Sequence, residues 1–162
     1  TVGIDPNGGR RADTHGGQKD QLDQFQAWAD GRDWLSFHVN HYDWWAFPIK
    51  QPSSFGFKYS VDEESLTKLR ADHDFTNNLR LASRLLLLSW GWDSESNRLI
   101  ENPDANQAWA DWPIRLFKCH ESLRLFEQWD AASSVFEFAT LLHSQGKSFQ
   151  YSGRDLFEQL QR

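Results

Sequence analysis

The chain is poor in the features that would name a reaction at sight. It has one cysteine, Cys119, in 162 residues, so no internal disulfide can form, and a reducing compartment suits it. No apolar run reaches the length of a membrane helix or resembles a signal peptide; the longest block of leucines is Leu85–Leu88. There is no P-loop, no dinucleotide fingerprint and no nucleophile elbow. Nor is there an excess of positive charge. With 23 acidic and 17 basic residues the formal charge is −6, which argues against general nucleic-acid binding, since that affinity comes from neutralising phosphates. A cytoplasmic protein that does not associate with membranes is expected.

Aromatic rings are abundant: nine Trp, twelve Phe and three Tyr. Most should build the core, because each buries a large apolar area. The set is too large for every ring to be enclosed, so some should line a surface cleft, where exposed aromatic patches mark binding sites.

Periodicity predicts one mainly α domain, a bundle of five to seven helices around a buried central helix at about 76–90. In that central stretch Leu79, Ala82 and Leu86 share one face, and Leu81, Leu85 and Leu88 share the next. Arg80 and Arg84, one turn apart, mark the narrow polar strip. Gly91 ends the helix and Asp74 or Thr76 caps its start. Residues 1–19, with five glycines, read as a loop-like segment, and residues 20–162 as the helical domain. Within it, Asp20–Ala29 is an amphipathic helix stopped by Gly31, and Asp33–Phe37 is a turn or short helix. Ser60-x-x-Glu63 is a capping box that opens a helix carrying Leu66 and Leu69. Asp93–Asn106 is a polar connection and Ala105–Trp112 a short helix. Pro113 starts a helix with Leu116, Cys119, Leu123 and Phe126 in register. Val135, Phe138 and Leu142 define the next helix, ended by Gly146, and Arg154–Leu160 closes the chain. No strand alternation is convincing, although Phe55–Val61 could be extended.

The order of these features is similar to a known family. YDWWAFPIKQPS at Tyr42–Ser53 is followed by SVDEESLTKLRAD at Ser60–Asp72, NLRLASRLLLLSWGWD at Asn78–Asp93 and CHESLRLFEQW at Cys119–Trp129. The series resembles the conserved region of the opioid growth factor receptor family, as a bacterial-type single domain, over roughly Trp34–His143. Within it, His120, Leu123 and Arg124 would form the family's His-x-x-Leu-Arg helix. The resemblance implies an all-helical domain. It implies no established catalytic residues, and receptor function does not follow from it. The extra tryptophans and the glycine-rich start depart from the family.

Several residues are candidates for chemistry. His38 and His41 are three apart, a spacing at which two imidazoles on a helix can share a metal, but no third ligand accompanies them. Surface histidines engaged in hydrogen bonds are the favoured reading. No metal or other cofactor is expected. Cys119 and His120 are neighbours whose side chains diverge by about 100° on a helix, a poor nucleophile–base pair. Cys119 reads as a core residue. Arg80, Arg84, Arg115, Lys118 and Arg124 could rim one cleft beside Trp44, Trp45 and Phe47, with His120 at its edge. Such a cleft suits an acidic peptide, or a small anionic or planar ligand. Scattered salt bridges to the many carboxylates are the competing reading. The expected function is therefore a non-catalytic interaction module that recognises a protein or peptide partner through an aromatic-rich face. The alternative is a small-molecule site with an aromatic, arginine and histidine cleft, enzymatic if His38, His41 or His120 acts as acid–base group. Nucleic-acid contact through the arginines is disfavoured by the net charge.

Overall fold

A computed structural model describes residues 14–39, 47 and 63–161, with side chains of the first helix from Gln18 onward. The helices are α1 (Thr14–Asp30), α2 (Trp34–Val39), α3 (Glu63–Arg70), α4 (His73–Ser89), α5 (Pro113–Leu125), α6 (Trp129–Ser144) and α7 (Leu156–Leu160). Two small antiparallel ladders join them: β1 (Trp92–Asp93) with β2 (Arg98–Leu99), and β3 (Gln150–Tyr151) with β4 (Arg154–Asp155). The mainly helical expectation holds. No described helix is long and apolar enough to cross a membrane.

α4 is the organising rod. Phe75, Leu79, Ala82, Leu85, Leu86 and Leu87 on it are all buried, whereas Leu81 and Leu88 are only partly so. α1, α2, α3, α5 and α6 all pack against it, α5 and α6 also pair with each other, and α7 docks against both of these. The helix begins earlier than its leucine pattern suggests. Asp72 is the cap, its Oδ1 accepting from the Phe75 amide at 3.1 Å, so the expected caps at Asp74 and Thr76 give way. Thr76 instead turns its hydroxyl back to the His73 carbonyl. At the other end Gly91 adopts φ +82°, the left-handed conformation that stops a helix. A Cβ there would lie 3.1 Å from the Gln107 carbonyl oxygen. Glycine thus suits both the left-handed backbone conformation and the close approach of the 100–112 connection.

Three expectations are corrected. Helix α1 starts at Thr14, inside the segment expected to be loop-like, despite Gly16 and Gly17. Buried Gln18 donates its amide to the Phe75 carbonyl at 3.0 Å, a tertiary anchor that outweighs weak local propensity. Residues 105–112 form no helix: Asn106 and Asp111 have φ of 65° and 58°, incompatible with helical continuation. The two ladders escaped notice because each strand is two residues long, too short for alternation to register. The β3–β4 turn places Ser152 and Gly153 at φ 49° and 77°, the paired left-handed geometry that suits tight hairpins. The capping box at Ser60 and the extended reading of Phe55–Val61 lie outside the described residues.

Elsewhere the pattern was direct. Pro113 occupies the first turn of α5, and Leu116, Cys119 and Leu123 are buried along it. Val135, Phe138 and Leu142 form the inner stripe of α6, and Gly146 follows at φ +81°. Asp155 caps α7, accepting from the Phe157 and Glu158 amides.

Candidate functional site

The surface of α4 carries a cleft of about 510 Å³ where the polar strip of the helix meets the β1–β2 turn and the start of α6. Arg80, Leu81, Ser83 and Arg84 supply the α4 wall, Ser94, Glu95 and Asn97 the turn, and Asp130 and Ala131 the far side. The turn is rigidly built: Asp93 accepts from the Glu95 amide and from the Ser96 hydroxyl, both at 2.9 Å, and Asn97 sits at φ 56°. These bonds, the Glu95 amide above all, hold the Asp93 carboxyl below the usual carboxylate range.

Each arginine of the cleft already has a carboxylate. Arg80 closes a two-point fork on Asp130, both N···O distances 2.7 Å, and also donates to the Gln128 side chain at 3.1 Å. The fork raises the Arg80 pKa and draws the Asp130 carboxyl down to about 2. Arg84 and Glu95 are a looser pair at 3.4 Å. Of the five cations expected to converge, only these two line the cleft. Arg115 is a brace inside the protein, 2% exposed, donating to the His38 carbonyl at 2.8 Å and lying 4.4 Å over the Trp112 ring. Arg124 pairs loosely with Glu121 on its own helix at 3.8 Å. Lys118 is not part of the lining. α5 turns these positions to its inner and outer sides, so the spacing that made them look like one rim does not place them together.

The other candidates are similarly dispersed. Phe47 is 1% exposed and packs near Phe25, so its ring serves the core and not an outer face. Trp44, Trp45 and His41 lie outside the described residues. His38 is buried, its Nε2 2.7 Å from the Asn106 carbonyl oxygen. Burial lowers its pKa, with Arg115 acting in the same direction. His120 is buried against Phe136. Its Nδ1 is 3.5 Å from Glu121, an ion-pair separation that lacks hydrogen-bond geometry, and the nitrogen has no partner. Cys119 is fully enclosed, donates to the Ser83 hydroxyl at 3.4 Å, and is pushed up to about 12 by burial. At that value it is a thiol at neutral pH, not a nucleophile. Among the described residues no group of three or more His, Cys, Asp or Glu could hold a metal ion.

The feature that sequence reasoning missed is Trp129. Among the described tryptophans it alone is exposed, at 60%, and it immediately precedes Asp130 at the edge of the cleft. The signal was present. Six residues before Val135, Trp129 falls about 120° away from the inner stripe of α6 at 100° per residue. Glu95 and Asp130, the two acids that neutralise the cleft, carried no such signal, because their partners are distant in the chain.

The chain matches no family model, no curated protein and no solved structure.

Proposed function

We propose that the protein is a non-catalytic helical interaction module that binds a protein or peptide partner at the Trp129 edge of the α4 cleft. The observation that carries this reading is the 60% exposure of Trp129 in a domain that encloses most of its other described rings. Tryptophan is strongly enriched among the residues that dominate binding energies at interfaces, and it is costly to leave in water. A neighbouring cleft with charged walls supplies the polar surroundings typical of an interface rim. The resemblance to the opioid growth factor receptor conserved region belongs to the same proposal, since it implies a helical domain without catalytic residues. The alternative that uses His38, His41 or His120 as acid–base group draws no support from this cleft, whose lining contains none of them.

The test is affinity capture with immobilised wild type and Trp129→Ala, both shown to melt alike. A partner retained by the wild type and lost by the variant supports the module. Identical retention by the two proteins would remove Trp129 from the proposal and the proposal with it.

A further inference from the structure

The partner's chemistry can be read from how the cleft's ion pairs are layered. The arginine side chains are the less exposed members of their pairs, 40% for Arg80 and 49% for Arg84, against 74% for Asp130 and 68% for Glu95. The carboxylates thus present the larger share of charged surface to an approaching molecule. The lining itself is balanced, two arginines against Glu95 and Asp130, and the excess of negative charge comes from outside it: Asp93, which feels Arg84, and a chain of net charge −6. The Asp130 carboxylate takes the Arg80 fork and backbone amides at the start of α6, yet its side chain stays 74% exposed to an incoming donor. Trp129, which precedes Asp130 in the chain, is exposed just outside the cleft lining, and tryptophan offers the best aromatic face for a cation. An acidic ligand would have to displace Asp130 from a two-point contact and approach against this field.

From this we infer that the occupant is a basic segment of a partner protein. A lysine or arginine side chain lies against Trp129 with its donors on Asp130 and Glu95, and Ser94 and Asn97 serve as uncharged acceptors along the wall. The inference rests on the interaction-module reading and reverses the charge expected of the partner from sequence, because the arginines that suggested an acidic ligand are satisfied internally.

The experiment uses the full chain and two short blocked peptides, Gly-Arg-Gly-Arg-Gly and Gly-Glu-Gly-Glu-Gly, titrated while the indole N–H resonance of Trp129 is followed. The Trp129→Ala spectrum assigns that resonance. The arginine peptide should shift it and the glutamate peptide should not. Salt should weaken the effect, as expected for exposed charges. Binding measured by calorimetry should fall about two- to five-fold in Trp129→Ala, and fall again in Glu95→Gln. A shift caused by the glutamate peptide would overturn the basic-partner inference while leaving the module standing. Arginine-peptide binding that is indifferent to both substitutions, or absent altogether, would also overturn it. If captured partners in addition ignore Trp129→Ala, the module itself falls.

Discussion

Trp90 and Trp129 are the same residue in opposite circumstances. Trp90 closes α4 at 2% exposure, edge-on to Trp109 with ring centroids 4.8 Å apart, and is stacked near Phe138. Neither its indole nitrogen nor that of Trp109 has a hydrogen-bond partner. The edge-to-face arrangement sets the positive rim of one ring against the negative face of the other, which offsets part of that loss. Trp129 begins α6 with most of its ring in water. The core thus tolerates unsatisfied indoles in order to bury their area, while one indole that could have been polar is left outside. The difference teaches that aromatic abundance reports on two separate needs, and only position along a helix separates them.

The sharpest way to break the contrast is truncation. Trp90→Ala should cost about 3–5 kcal/mol by chemical denaturation, because it opens a cavity among Trp109, Phe138 and the end of α4. Next, Gly91→Ala should destabilise by about 1–2 kcal/mol from its left-handed backbone alone, and by more if the Gln107 carbonyl cannot retreat from the new Cβ. Gly146→Ala is the control: it has a similar φ but open space around it, so only the conformational cost applies. Equal losses at the two glycines would mean that the connection at Gln107 yields easily.

Asp72→Ala should remove about 1 kcal/mol, the usual worth of an N-cap, read from the same denaturation curves. Smaller still is the exposed Arg80–Asp130 fork, for which a double-mutant cycle should give about 0.2–1 kcal/mol, decreasing with salt. Asp130 has its pKa lowered in the folded state, so its contribution is present above pH 3.8 and is lost as the pH falls towards 2. His38 has the same sign with a different window. Its folded pKa lies below 6.5, so stability is complete above that pH and declines as the solution is acidified below it. His38→Gln, which can keep a donor towards Asn106, should flatten that part of the melting profile. Last, Trp129→Ala should change stability by no more than about 0.5 kcal/mol while altering binding. A large loss of stability there would turn Trp129 into a second Trp90 and dissolve the contrast.

Much of the fold was legible because helical periodicity is local. Leu79, Ala82 and Leu86 announced the core face of α4, and Gly91 and Gly146 their helix ends, from spacing alone. The start of α1 was not legible, because it depends on Gln18 reaching a carbonyl 57 residues away. The site was harder still. Arg80 and Arg84 could be placed on one strip, but nothing nearby in the chain said that Asp130 and Glu95 would cover them. Arg115 looked like a surface cation until packing enclosed it beneath Trp112 and the His38 carbonyl. Charges announce a surface only while their partners remain unknown.

Cys119 carries one more consequence. It is the single thiol in the chain, enclosed on the α5 stripe and held protonated by its surroundings. An alkylating reagent can therefore reach it only when the α4–α5 contact separates. Labelling speed becomes a built-in clock for the parting of these two helices, readable in dilute samples at a cysteine the chain already carries.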